Sequence, residues 1–364
     1  MSAPVRLEQV QDALLNTELD AVALMPGPNL VYAGGVRLHR SERLNVLVIP
    51  RQGTPRALCP RLEAAAYRHL DVPLHTWSDE EGPMPALEQL VAEAGLARAV
   101  WGVEYHNAYY GEVMALRQAA PHAQFRPAEA VLTRLRLIKD ETEIEALREA
   151  ARVTGQIVQE TLDALRPGLT ERAVASHIQS LLLARGSDGA AFSPLVASGP
   201  NAADPHALPG DRVLSSGDVI IVDLGATVRG YHGDITRCAA LRPVASEIRR
   251  IYDVVRRAAE AGRAAVRPGA RAGEVDRAAR RVIDEAGYGA YFIHRTGHGL
   301  GLQVHEPPYI HAENDETLEP GMVFTVEPGI YLPGLGGVRV EDVVVVNERG
   351  HEVLTHVSRD LVVV

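Results

Sequence analysis

Asp223 sits near the centre of an apolar, β-branched run, Ile220-Ile-Val-Asp-Leu-Gly-Ala226, and Asp234 follows eleven residues later. Arg229-Gly230, between them, is a turn signal, so the segment reads as a β-hairpin. Folded about Val228-Arg229, the hairpin sets Asp223 directly opposite Asp234. Carboxylates facing each other on adjacent strands, with Cβ atoms ~5 Å apart, repel unless a cation lies between them. A buried carboxylate without a partner is costly. The alternative is an exposed hairpin with solvated acids, and the apolar flanks argue against it. The chemistry implied is metal binding.

The same pattern recurs downstream. Gly217-Asp-Val-Ile-Ile-Val-Asp223 parallels Gly321-Met-Val-Phe-Thr-Val-Glu327, 104 positions on. Arg166-Pro-Gly168 and Arg267-Pro-Gly269 each lead into a helix, and those helices end at Arg185-Gly186 and Ala286-Gly287, with matching landmarks 101 positions apart. Each half adds a second acid on its returning strand, Asp234 and Glu341. A tandem duplication about a pseudo-two-fold axis would bring all four carboxylates to one centre. Such a centre needs about two divalent cations; oxygen ligands suit manganese, and an added imidazole also admits cobalt, zinc or iron. His298, in the run Thr296 to His305, is the predicted imidazole ligand, with glycines around it that permit close backbone approach. His305 is either a donor to substrate or a structural histidine. Two ions ~3.5–4 Å apart can hold and acidify a bridging water and stabilise a tetrahedral oxyanion, which suits amide hydrolysis. Glu327, leading into Pro328-Gly329, is the carboxylate best placed to accept the proton of that water and pass it to the leaving nitrogen.

The elements that must position these groups come from a chain of 364 residues, enough for two domains or one large one. It is 46% hydrophobic and 23% charged, as in globular proteins. A net charge of -10 argues against nucleic acid as a partner. Lys139 is the only lysine, which argues against Schiff-base chemistry, and Cys59 and Cys238 are too few for a disulfide framework. Met1 to Val10 carries no apolar signal segment and no run reaches membrane-spanning length, so the expectation is a cytoplasmic protein with no membrane partner. Apolar spacing at Val5, Val10, Leu14 and Leu15 predicts a helix over 4–20, followed by a strand at 21–25 and a Pro-Gly-Pro turn. Strands at Leu44–Ile49 and Ala99–Val103, a strand-then-helix at Ala57–Leu70 and a helix at Pro85–Leu96 complete an α/β domain over 1–135. Arg37, His39, Arg40 and Arg43 crowd one loop there, as a solvated loop or as a substrate contact. The second domain, 136–364, opens with a long helix capped by Asp140 and Glu143 and running to about Leu165.

From about residue 140 to 360 the chain resembles the pita-bread metallopeptidase family, which includes methionine aminopeptidase, aminopeptidase P and prolidase. The matching segments are Val222-Asp-Leu-Gly-Ala226, Gly233-Asp-Ile-Thr-Arg237, His298 to His305, Val326-Glu-Pro-Gly-Ile-Tyr331 and Val338-Arg-Val-Glu-Asp342. The resemblance implies an α+β pita-bread domain with an internal pseudo-two-fold duplication behind an α/β domain. It implies two divalent ions (manganese, cobalt or zinc), with Asp223 chelating one, Asp234 and Glu341 bridging, and His298 and Glu327 completing the other. The extra N-terminal domain is similar to that of the creatinase, prolidase and aminopeptidase P branch. Ala197-Ser-Gly-Pro-Asn201 and Pro205-His-Ala-Leu-Pro209 resemble that branch's proline-specific segment. By this resemblance His206 and His305 stabilise the scissile amide, His294 and Arg339 line the substrate pocket, and Tyr331 is a further functional position. Departures are Gly233, where many relatives have serine, and Val343, where a second acid is frequent; neither touches a ligand position.

The expected reaction is hydrolysis of the Xaa-Pro bond in dipeptides, with aminopeptidase P action on longer proline-containing peptides as the alternative. A metal-free creatinase-like hydrolase and an inactive binding module are further alternatives, against which the full ligand set argues. An Xaa-Pro bond is a tertiary amide with no N–H, so a pocket must be built for the ring. Dipeptide selectivity also needs a group that holds the free proline carboxylate, and Arg37, Arg40 or Arg43 is the expected source. A homodimer is expected from the family alone.

Overall fold

The computed structural model describes residues 6–364, so Val5 and the N-terminal residues before it lie outside the described part. The chain divides into two units, 1–136 and 137–364.

The first unit is built on a mixed six-stranded sheet. Its strands lie in the order Leu74–Trp77, Arg56–Pro60, Val46–Pro50, Ala21–Leu24, Val100–Val103, Gln124–Pro127. Every residue of the central strand Ala21–Leu24 is buried. Side chains alternate along a strand, so Val22 and Leu24 enter one apolar core while Ala21 and Ala23 enter the other. The sheet is therefore covered on both faces. The first helix spans Leu7–Leu14 and stops short of the range that spacing suggested. Pro28 opens a helix, Pro28–Gly34, where the Pro-Gly-Pro run had indicated only a turn. Its fixed φ and missing N–H suit the first helical position.

The second unit opens with the helix Glu141–Ala164. Asp140 caps it: its side chain accepts from Glu143 N at 2.9 Å, and its own N–H donates to Glu143 Oε2 at 3.1 Å. The duplication is explicit in the backbone. Gly168 N donates to Leu214 O at 3.0 Å, and Gly269 N donates to Leu318 O at 2.9 Å. Isolated bridges join Thr170 to Val213 and Arg271 to Thr317. Each pair then opens a 14-residue helix, Glu171–Ala184 and Ala272–Glu285. Each half adds three antiparallel strands: Leu195–Ser198, Val219–Leu224 and Ile235–Ala240 in the first, Gly297–Gly299, Val323–Val326 and Asp342–Asn347 in the second.

Register decides which side chains meet. Asp223 pairs with Thr236, and the same ladder continues through Thr227 with His232 and Val228 with Tyr231. The turn is therefore Arg229-Gly230, both with positive φ, 53° and 77°. That is the type I′ arrangement whose twist matches the flanking strands. The expectation that Asp223 faces Asp234 is corrected: Asp234 lies two positions earlier on the returning strand. A slip of two leaves a side chain on the same face, whereas a slip of one reverses it. In the second half, Val326 pairs with Asp342 and Gly329 with Arg339, which sets Glu327 level with Glu341. The place opposite Asp223 is filled by Thr236, so Asp234 and Glu341 are not on equivalent rungs.

Burial fixes these strands. Ile220, Ile221 and Val222 are 0% exposed. Burial of each contributes about 1.5–3 kcal/mol, which anchors the strand that carries Asp223. Among the described residues no helix is long and apolar enough to cross a membrane.

Candidate metal centre

Each acid sits at or just beyond a strand end: Asp223 late in Val219–Leu224, Asp234 before Ile235–Ala240, Glu327 after Val323–Val326, Glu341 before Asp342–Asn347. The two halves are stitched together at the site itself. Glu341 N donates to Thr236 O at 3.3 Å, and Thr236 Oγ1 donates to Glu341 Oε2 at 2.7 Å. Asp234, His298 and Glu341 each offer one ligand atom within 4.8 Å of the others. His298 Nε2 is 3.4 Å from Glu327 Oε1 and 3.7 Å from Asp234 Oδ2. Asp223 joins through Arg339, whose Nη2 donates to Asp223 Oδ2 at 2.6 Å while its Nε lies 3.9 Å from Glu327 Oε2.

The electrostatics are those of crowded, buried acids that one bonded guanidinium, Arg339, only partly offsets. Burial, then Glu341, Asp223 and Glu327, push the Asp234 carboxyl well above the usual aspartate range. Burial, then Glu327 and Asp223, do the same to Glu341. Burial pushes Glu327 up to about 7, and raises Asp223 despite Arg339. Burial, then His305, lowers His298 to about 3, so its ring is neutral at pH 7. His298 Nδ1 lies 3.1 Å from Gly299 O, which can only accept. The proton is therefore on Nδ1, and Nε2 faces the acids with a free lone pair.

These residues fit divalent cations on two counts beyond their number. Asp223 Oδ1 is buried and has no hydrogen-bond partner, although buried carboxylate oxygens are ordinarily paired. The donor set of hard oxygens and one neutral imidazole nitrogen suits borderline divalent metals.

His305 stands edge-on to His298, with ring centroids 4.2 Å apart. His206 is exposed on the segment after Asp204, whose Oδ1 accepts from His206 N at 2.9 Å. Both line one cavity of about 680 Å3 with Asp223, Asp234, Glu327 and Glu341. Phe192, Leu195, Leu208 and Val304 supply apolar wall.

His294 and Arg339 also line the cavity, but their polar atoms are largely committed. His294 Nδ1 donates to Arg295 O at 2.7 Å, and burial holds its pKa down at about 4. Its Nε2 is thus an acceptor, taking the Tyr331 hydroxyl proton at 2.8 Å, while that hydroxyl accepts from Arg339 Nη1 at 2.9 Å. Tyr331 is buried and joins the two from behind the cavity wall. Arg339 therefore holds Asp223 in place.

The N-terminal arginines behave differently. Arg40 pairs with Glu112 and lies over the Tyr109 ring at 3.9 Å. Arg43 forks onto Asp79 at 3.0 and 2.9 Å. Arg37 is exposed. Arg40 and Arg43 thus already hold carboxylates of their own unit.

Several supporting residues had no signal in the sequence. Asp276, 0% exposed, accepts from Thr296 N and Thr296 Oγ1 at 3.2 and 2.7 Å. It also holds Arg280, which donates to Phe292 O and His294 O, both at 3.0 Å. Together they fix the backbone that presents His294 and His298. Lys139 forms a buried pair with Glu306 at 2.8 Å, beside His305. The Asp276–Arg280 pair is a local i,i+4 contact on the helix Ala272–Glu285, but the partners that give it its role, Thr296, Phe292 and His294, and the Lys139–Glu306 pair, are 12 to 167 positions apart.

Residues 145–348 match metallopeptidase family M24, and residues 6–138 match the creatinase/prolidase N-terminal domain. The chain belongs to metallopeptidase family M24. It is 39% identical to the probable dipeptidase PepE of Mycobacterium tuberculosis, over 99% of this chain and 96% of that protein. It is 37% identical to the putative dipeptidase YkvY of Bacillus subtilis, over 98% and 99%. Among solved structures, a prolidase from Thermococcus sibiricus superimposes with a TM-score of 0.94 at 35% identity, over 98% of both chains. An X-Pro aminopeptidase from Thermotoga maritima gives 0.88 at 30% identity, over 99% of this chain and 100% of that one. The family fold, an α/β domain followed by the duplicated pita-bread unit, is the one the sequence led us to expect. As a member of a metallopeptidase family, the chain is a metal-dependent hydrolase.

Proposed function

We propose that this M24 member is an Xaa-Pro dipeptidase that works with two divalent ions. The observation that carries the reading is the convergence of Asp234, Glu341 and His298, with Glu327 beside His298 Nε2 and Asp223 on the same cavity with one buried carboxylate oxygen that has no protein partner. Its surroundings, a cavity with exposed His206 and His305, fit a peptide. The relatives named dipeptidase and prolidase support the same substrate class. Asp223, Asp234, His298, Glu327 and Glu341 hold the ions, which we take to be manganese, cobalt or zinc. When bound, they supply Lewis acidity that acidifies water and stabilises charge on the carbonyl oxygen of an attacked amide.

The remaining work falls to side chains. Glu327 accepts the proton of the attacking water and delivers it to the proline nitrogen as the C–N bond breaks. That nitrogen, a tertiary amide in the substrate, needs this proton to leave as an amine. His206 and His305 donate to the polarised carbonyl or to the adjoining carboxyl group. His294, through Tyr331 and Arg339, keeps Asp223 aimed. A homodimer in the cytoplasm belongs to the same proposal.

The test is hydrolysis of Ala-Pro, Ala-Pro-Gly and Ala-Ala by metal-stripped protein, before and after addition of each of the three ions. Metal-dependent cleavage of Ala-Pro alone is expected. Cleavage of Ala-Ala at the same rate would sink proline specificity, and activity in chelator would sink the metal centre. Preference for Ala-Pro-Gly would favour the aminopeptidase P reading, which the likeness to the Thermotoga maritima enzyme also supports.

A further inference from the structure

Arg295 is a cavity-lining guanidinium with no anionic partner among the described residues. It is half-buried, and it lines the same cavity as His206, His305 and Glu327. Its side chain lies over the Tyr309 ring, 4.4 Å from the centroid. Among the described residues no carboxylate or carbonyl pairs with that side chain, whereas Arg339, the other arginine of the cavity, is bonded to Asp223, Thr236 and Tyr331. The charge of Arg295 reaches the reacting region, helping to lower His298 and His305 and to counter the rise of Glu327.

The backbone around it is rigid. Asp276 holds Thr296 on one side, and Arg280 holds Phe292 O and His294 O on the other. His294 Nδ1 takes the carbonyl of Arg295 itself. A fixed main chain and an aromatic platform pre-orient a planar fork of donors, the geometry that suits a carboxylate. Leaving such a group unpaired in a partly dry cavity has a cost that a ligand anion removes.

We propose that Arg295 is a specificity residue that pairs with a carboxylate of the substrate. The proposal rests on the peptidase reading. It transfers to Arg295 the anion-holding role first expected of Arg37, Arg40 and Arg43. The carboxylate is either the free terminus of a dipeptide or an acidic side chain before proline, and one experiment separates the two.

Wild-type protein, Arg295→Gln and Arg295→Lys are compared on four substrates: Ala-Pro, Ala-Pro amide, Asp-Pro and Asn-Pro. If the terminal carboxylate is the partner, Arg295→Gln lowers the ratio of kcat/KM for Ala-Pro over Ala-Pro amide by about tenfold or more, the loss of one charge-assisted pair. If the side chain is the partner, the Asp-Pro over Asn-Pro ratio falls instead. Arg295→Lys, which keeps the charge without the fork, gives an intermediate ratio. A general loss of folding moves all four substrates together and leaves both ratios in place. Ratios unchanged in both variants would overturn the assignment. Failure of the wild-type protein to cleave any of the four would instead overturn the peptidase reading, and this inference with it.

Discussion

Asp342 is a residue whose removal should be felt both in stability and at the candidate metal centre. It is 0% exposed and accepts from Arg237 Nη2 at 2.8 Å, Arg263 Nη1 at 2.6 Å, Arg359 Nε at 2.6 Å and Thr355 Oγ1 at 2.7 Å. Asp342→Asn strips the counter-charge from three arginines, two of whose side chains are only 1% and 12% exposed. Removing one partner of a buried pair costs about 3–5 kcal/mol. The low end applies here, because Arg237 keeps the carbonyls of Thr236, Glu341, Val357 and Ser358 as acceptors. About 3 kcal/mol, at about 2–4 °C per kcal/mol for a unit of this size, lowers Tm by about 6–12 °C. Those same bonds tie Arg237 to both sides of the Thr236–Glu341 rung, so divalent affinity should fall as well. Calorimetric unfolding and titration with manganese measure the two effects, with the exposed pair partner Asp211→Asn as a control that leaves Tm in place. The pH dependence has a definite sign. Burial alone would raise the Asp342 pKa, but Arg237, Arg359 and Arg263 outweigh it and hold it below the ordinary value. A depressed folded pKa means the contribution is complete above about pH 4 and is lost as pH falls through the folded value. The difference between wild type and variant should therefore shrink in acid. An Asp342→Asn protein that melts with the wild type at pH 7 and binds manganese equally well would refute this reasoning.

Two other outcomes follow from the geometry. Because burial and crowding raise Glu327 to about 7, and push Asp234 and Glu341 in the same direction, metal-free protein near pH 7 keeps proton occupancy that ordinary carboxyls would have lost. Divalent ions must expel that occupancy, so titration calorimetry in buffers of different ionisation enthalpy should report net proton release on binding; no buffer dependence would contradict it. A Cβ on Gly297 would stand 1.9 Å from Thr325 O. Gly297→Ala must therefore displace His298 from the strand ladder, and manganese affinity should drop by about tenfold or more, an expectation that fails if binding isotherms superimpose.

The sequence disclosed those parts of the molecule that rest on local rules. The Asp140–Glu143 cap, the paired Pro-Gly stops and the two acid-bearing strands all depend on neighbours a few residues away, and all appear in the fold. The hairpin register was misplaced because it depends on which two residues take left-handed conformations, and Val228 was assigned a place that belongs to Gly230. Helix Tyr110–Ala119 and strand Gln124–Pro127 escaped notice because neither carries a clean apolar period; the strand is mostly exposed. Charged groups were the least legible. Arg40 and Arg43 attracted attention by crowding, yet Glu112 and Asp79, 72 and 36 positions away, hold them. Arg295 drew none, because what distinguishes it is the lack of an acid in three dimensions.

The hydrogen bonds between Thr236 and Glu341 have a consequence for how a peptide gets in. They join the duplicated halves through a candidate ligand, so a clam-shell hinge opening there would pull the reactive groups apart. Entry and departure must instead use the rim, where Leu208 stands 82% exposed beside His206. The floor is thereby free to stay rigid through every turnover.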